Sequence, residues 1–176
     1  MKYLLSVAAM FAILSLACNK SHNTGSAYYI KATIDGVSKN FSGNVFATAV
    51  NDVHGNAINI NGLFSSGNGE GMNLAINSHN PSVYVTTGIY ADTSSIFNIA
   101  LTYAPSATGT LYASGNFTSD SAANNGVTII NHLRVAISEV TSTDITGSFS
   151  GDVFLSGDAS KDKKTVTDGT FYAKFQ

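Results

Sequence analysis

The stretch from Ile145 to Phe175 constrains the fold more than any other, because it reads as two alternating strands joined by a polar loop. Successive side chains on a strand point to opposite faces, so the apolar register shows which face meets a core. The first strand places Ile145, Phe149, Val153 and Leu155 on one face. The second places Phe171, Ala173 and Phe175 on one face and Thr170, Tyr172 and Lys174 on the other. Both halves carry the same core motif, Gly147-Ser148-Phe149 and Gly169-Thr170-Phe171. An isolated hairpin is marginal in water, so this one must belong to a larger sheet that shares its core.

The rest of the chain supplies strands of the same kind. Ala27–Ile34 leads into Asp35-Gly36, a pair suited to a type I′ turn because both central residues need positive φ. Val37–Phe41, Val45–Val50, Ala57–Phe64 and Met72–Ile76 follow, separated by Asn, Asp and Gly. Val83–Tyr90 reads as one strand broken at Gly88, followed by Ile96–Tyr103 and by Thr110–Phe117, in which Gly115 is a candidate bulge. Val127–Val140 fits two patterns. Ile129, Leu133, Ala136, Ile137 and Val140 make a helical stripe, whereas Leu133, Val135 and Ile137 alternate as a strand. Its β-branched content favours the strand. Gly109-Thr110-Leu111-Tyr112 and Gly115-Asn116-Phe117 echo the closing motif at irregular spacing, which marks strand starts rather than a solenoid.

About ten or eleven short strands with no competing helical pattern point to an all-β protein. The expected architecture is an antiparallel β-sandwich of about ten strands, with a closed antiparallel β-barrel as the alternative. Charged residues make up only 11% of the chain and hydrophobic residues 44%. The surface is therefore solvated mainly by neutral polar groups, as in exported β proteins. A net charge of −2 supplies no basic field for nucleic acid.

The N-terminus divides this single domain, residues 27–176, from a processing segment. Residues 1–17 read as a signal peptide, with Lys2 as the positive region and Leu4–Leu14 as an apolar run too short to span a bilayer. Ser15-Leu16-Ala17 supplies the small residues of a cleavage site. Cys18, the only cysteine, has no internal disulfide partner. Its position resembles the lipobox of bacterial lipoproteins, which implies a lipidated Cys18 at the mature N-terminus. Asn19–Ser26 contains no apolar residue and reads as a tether. Asn19 rather than Asp after the cysteine implies the outer membrane, and the absence of an acidic run implies its periplasmic face.

Three segments carry a wider resemblance. Ala32-Thr33-Ile34-Asp35-Gly36-Val37 forms the opening hairpin pattern. Ala136–Val140 and Ile145–Gly151, then Val166–Phe171, form the closing one. Together they resemble the small lipoproteins of Bacteroidota whose domain has no assigned function. Many of those proteins carry a Trp just after the first hairpin, where this chain has Phe41 and no Trp anywhere. The resemblance implies a lipid-anchored β domain of the cell envelope and transfers no catalytic residues.

The residues that carry chemistry are sparse. His22, His54, His79 and His132 have no second ligand at metal-binding spacing, so neither a metal nor a cofactor is expected. Asp residues fall mainly at turns, where their side chains bond nearby backbone. Asp158 and Asp162 lack the EF-hand pattern. Gly147-Ser148-Phe149-Ser150-Gly151 has Phe at its centre and lies in a strand, unlike a nucleophile elbow. Gly67–Gly71 lacks the Lys-Ser/Thr of a phosphate loop. Tyr172 faces outward if Phe171, Ala173 and Phe175 face the core, and an outward tyrosine on a sheet can stack on a sugar ring. One of Tyr28 and Tyr29 shares that exposure by alternation. Asp120-Ser121-Ala122 resembles the O-glycosylation signal of Bacteroidota, which nominates Ser121.

The expectation is a non-catalytic binding or scaffolding module of the cell envelope. Its partners are the membrane, through the lipid, and a glycan or envelope protein, with no role for nucleic acid. The alternative is a secreted hydrolase acting on glycans through a carboxylate site in its loops.

Overall fold

The computed structural model describes residues 28–52, 55–63, 69–80, 82–107, 109–115, 131–158 and 161–176. The signal segment, Cys18, the tether and Ser121 lie outside them. Every helix-or-strand element among the described residues is a strand. In chain order they are β1 (Tyr29–Ile34), β2 (Val37–Phe41), β3 (Asn44–Asp52), β4 (Gly55–Leu63), β5 (Gly71–Ser78), β6 (Gly88–Ala91), β7 (Phe97–Ala104), β8 (Tyr112–Gly115), β9 (Arg134–Val140), β10 (Asp144–Leu155) and β11 (Lys163–Phe175). They form one mixed sheet in the order β2-β1-β11-β3-β4-β5-β7-β8-β10-β9-β6, with β10 also paired to β11.

Two of these pairings are short. β11 meets β3 only through Lys174↔Phe46 and Phe175↔Ala47. β10 meets β8 only through Phe154↔Ala113 and Leu155↔Tyr112. These two corners divide the sheet into β3-β4-β5-β7-β8 and β2-β1-β11-β10-β9-β6. The two stretches face each other across the core: Phe41 of β2 packs edge-on against Tyr103 of β7 at 6.4 Å, and the backbone of Gly62 in β4 lies against Ile30 of β1. The result is sandwich-like and all-β. The expected antiparallel arrangement needs one correction, since β11 and β3 run parallel. They meet at a corner rather than through a hairpin, so no tight turn forces them to oppose. The circuit of pairings from β11 through β3 and β8 back to β10 narrows to two residue pairs at each corner, and the interior is filled by side chains.

The β10–β11 hairpin braces both stretches, because the turn end of β10 reaches β8 and the last residues of β11 reach β3. Ile145, Phe149, Val153, Phe171 and Ala173 are buried as their alternation requires. Leu155 is partly buried and packs against the same core, while Phe154, on the opposite face of β10, is buried outside that cluster. Near the corner both faces of β10 are therefore covered.

The repeated Gly-Ser/Thr-Phe motif has a different role from the strand-start signal expected of it. In register, Gly147 lies opposite Phe171 and Phe149 opposite Gly169. A Cβ at Gly147 would overlap the Phe171 ring, and one at Gly169 would overlap Phe149. Each glycine therefore makes room for the phenylalanine of the facing strand, with the two rings 6.4 Å apart and tilted by 31°. Aromatic cover over a cross-strand glycine is a known device for pinning strand register.

Other expectations resolve locally. Asp35 and Gly36 have φ of 48° and 80°, as a type I′ turn requires. Residues 83–86 lie outside any strand, so Val83–Tyr90 is not one strand, and β6 begins at Gly88. The reason is Tyr90, whose hydroxyl donates to the Thr86 carbonyl at 2.7 Å and accepts from the Thr86 amide at 2.8 Å. Those backbone groups are thereby taken from a ladder. The ambiguous segment is a strand from Arg134 to Val140, preceded by residues 131–133 outside any strand; Leu133, Val135 and Ile137 are buried in alternation, and residues 127–130 lie outside the described part. Gly115 pairs in register with Ala100 and marks no bulge in that pairing. Register shifts lie instead in β11, where Asp168 interrupts the pairing with both β1 and β10, and in β9 opposite Thr146 and Gly147.

Candidate functional site

The outer face of the six-stranded stretch is built by the same alternation that fills the core. Ile30 and Ala32 of β1 point inward, so Tyr29 and Lys31 point outward. Phe171 and Ala173 of β11 point inward, so Thr170, Tyr172 and Lys174 point outward. Antiparallel register then sets Tyr29 beside Tyr172 and Tyr172 beside Thr146 of β10. Tyr28 joins them just before β1. Its ring lies 4.9 Å from that of Tyr172 at a 48° tilt, and Tyr29 meets Tyr172 edge-on at 6.5 Å. The Lys31 ammonium sits 4.5 Å from the centre of the Tyr29 ring, in cation–π range. The carboxylate of Asp144 hydrogen-bonds the Tyr28 phenol and raises its pKa, with burial adding in the same direction. Tyr172, the outward tyrosine expected from the sequence, is thus the centre of a three-ring cluster edged by a cation and a carboxylate.

A groove lies further along the same face. It has a volume of about 330 Å³, at the lower end of the range for small-ligand sites. Arg134 and Ala136 of β9, Ser148 and Ser150 of β10 and the bulged Thr167-Asp168 pair of β11 line it. The bulge makes the groove. Asp168 adopts φ of 52°, the extra residue bends β11, and the outward side chains on either side separate. From Tyr172 to Asp168 is four residues of strand, about 13 Å at the usual rise. Tyrosines, hydroxyls, a guanidinium and the carboxylates of Asp144 and Asp168 therefore share one face. Among the described residues that line the groove only Asp168 carries a carboxylate, whereas glycoside hydrolysis uses a pair.

A second cluster of ionisable groups was not singled out in the sequence. Glu70, just before β5, is 4% exposed, and its Oε1 accepts from Lys39 Nζ at 2.9 Å and from the Tyr103 hydroxyl at 2.7 Å. Burial, reinforced by Glu70, pushes the Tyr103 phenol far above its usual pKa. Beside it the Tyr112 hydroxyl donates to Asp162 at 2.7 Å. Lys164 lies 5.1 Å from the Tyr112 ring centre and pairs with Asp35 at 2.9 Å. A carboxylate already held by a cation and a phenol, and phenols held protonated, close this end of the core rather than expose a reactive group. The signal for it was Lys39, which shares the inward parity of Phe41 on β2, an unusual place for a lone cation.

Of the histidines, His79 and His132 are exposed, and His132 Nδ1 lies 3.9 Å from Asp152. His22 and His54 lie outside the described residues, as do Cys18 and Ser121. Among the described residues no three His, Cys, Asp or Glu side chains gather as metal ligands would. An apolar notch of about 340 Å³, lined by Ile58, Tyr84, Val85, Val140 and Phe175, opens at another end of the sandwich.

The fold and this face define a sandwich-like all-β protein with an aromatic and polar sheet surface. No family model, no curated protein and no solved structure matches the chain. Its chemistry is therefore read from the residues themselves.

Proposed function

We propose that the protein is a non-catalytic carbohydrate-binding module held in a bacterial cell envelope by a lipid on Cys18. The observation that carries the binding reading is the gathering of Tyr29 and Tyr172 with Lys31 on one outward sheet face, with Tyr28, which also packs against the core, against the Tyr172 ring. Sugar rings present C–H faces to an aromatic ring and hydroxyls at their edges. A tyrosine platform bordered by Thr170, Ser148 and carboxylates supplies both kinds of partner. The face is preformed by rigid strands, so little ordering opposes binding. Support for the envelope setting comes from the signal-like residues 1–17, from Cys18 and from the resemblance to Bacteroidota lipoproteins; Asn19 and the tether without an acidic run favour the periplasmic face of the outer membrane. Ser121 in this reading carries an O-glycan.

A glycan array followed by titration calorimetry tests the binding reading. The wild type binds an oligosaccharide, and Tyr172→Ala weakens it about tenfold, or ~1.4 kcal/mol. The same panel, assayed for hydrolysis, yields no turnover. Reproducible turnover abolished by one Asp→Asn change would replace binding by catalysis. Metabolic labelling with a fatty-acid probe marks Cys18, and Cys18→Ala removes the label.

A further inference from the structure

We infer that the groove at the β11 bulge is a carboxylate subsite, so that the preferred ligand is an acidic oligosaccharide of which a more distant sugar stacks on Tyr172. The inference rests on the carbohydrate reading above and names the ligand class within it. Arg134 decides it. This residue is exposed on β9, lines the groove and makes no ion pair among the described residues. A guanidinium presents a planar fork of donors that matches a carboxylate with two parallel hydrogen bonds. Across the groove stand the hydroxyls of Ser148 and Ser150 on β10 and of Thr167 on β11. Ser150 is the register partner of Arg134, and Ser148 that of Ala136. Asp168 accepts the Thr167 hydroxyl at 3.1 Å and, as an acceptor, suits sugar hydroxyls rather than a sugar carboxylate. The set therefore distinguishes two ends of one sugar: an anionic end toward Arg134 and a hydroxyl end toward Asp168. A neutral sugar would leave the guanidinium without its complement. A phosphate would bring more negative charge against Asp168 than a uronate does. Groove and platform lie along the same outward rows of β10 and β11, so one extended oligosaccharide of several sugars reaches both.

The test is calorimetry of the full chain with an oligogalacturonate and with its carboxyl-reduced, neutral counterpart of the same length. The expected result is a preference of about tenfold for the acidic ligand at low salt, weakening as salt rises. Arg134→Gln abolishes the preference by lowering affinity for the acidic ligand to that for the neutral one. Arg134→Lys keeps part of it, since charge remains and the fork is lost. Circular dichroism accompanies each variant, and Arg134 is exposed, so folding survives. A preference that persists in Arg134→Gln overturns the subsite, as does equal binding of both ligands by the wild type. In either case loss of binding in Tyr172→Ala still upholds the carbohydrate reading. Binding indifferent to Tyr172→Ala, or absent for both ligands, overturns that reading and the subsite with it.

Discussion

Gly147 and Gly169 matter through what they leave empty. Each faces the other strand's phenylalanine across the hairpin, and a methyl group at either position meets an aromatic ring and a backbone oxygen. Gly147→Ala is therefore expected to destabilise the protein by about 1–3 kcal/mol, as overpacking does in a close-packed core. Phe171→Ala, which empties a site with 0% exposure, is expected to cost about 3–5 kcal/mol. Urea midpoints at unchanged slope check both. At this scale the repeated motif was legible, but its meaning was not. The pairing of Gly147 with Phe171 depends on register across the hairpin, and that register contains a one-residue bulge at Asp168 that no local pattern announces. Tyr172 was legible, because alternation between Phe171 and Ala173 sends it outward. Arg134 was not, because residues 127–140 fit a helical as well as a strand period and its facing partners lie on other strands.

Elements fail or hold at their ends. The Asp35-Gly36 turn is docked onto β11: the Asp35 amide donates to the Thr165 carbonyl, and its carboxylate accepts from the Thr165 amide and from Lys164. The Lys164 bond and the Thr165 amide hold the Asp35 carboxyl below its ordinary 3.8, and Asp35 in turn raises Lys164 above 10.5. The signs follow. A depressed carboxyl favours folding above 3.8 and loses that contribution as pH falls through its folded value. A raised lysine contributes below 10.5 and loses it as pH rises through its folded value. One ion pair underlies both limbs and counts once. Asp35→Asn keeps the left-handed turn, which asparagine also tolerates. The variant should be less stable than wild type at pH 7, and the difference should shrink as pH falls below 3.8, as urea midpoints across that range will show. The pair is exposed, so the difference is small. At the core end, Lys39→Met leaves the Glu70 carboxylate buried without its ammonium. The expected loss is about 2–4 kcal/mol, read by thermal unfolding. It falls below the range for fully buried pairs because Lys39 is partly exposed. Most strands were legible from period-2 patterns bounded by Asn, Gly and Asp. The exception was β6, shortened because the Tyr90 hydroxyl binds the backbone of Thr86, a side-chain choice that strand propensity does not express.

At the scale of the whole molecule, the closing hairpin joins two layers at two corners. β10 and β11 carry partners on both edges, whereas β2 and β6 end the strand order. Amide exchange should therefore be slowest in β10 and β11 and fastest in β2 and β6. The all-β class was legible from strand count alone. The corners were not, because each rests on two residue pairs between segments far apart in sequence, one of them parallel. The same geometry makes function a property of a surface: β1, β9, β10 and β11 each contribute alternate residues, and only their assembly brings Tyr29, Tyr172, Ser148 and Arg134 onto one face. Amide chemical-shift mapping with an oligosaccharide ligand tests this most directly. The account predicts perturbations confined to residues 28–31, 134–136, 146–150 and 167–172. Shifts centred instead on the Tyr84–Phe175 notch, or none at saturating ligand, would contradict it.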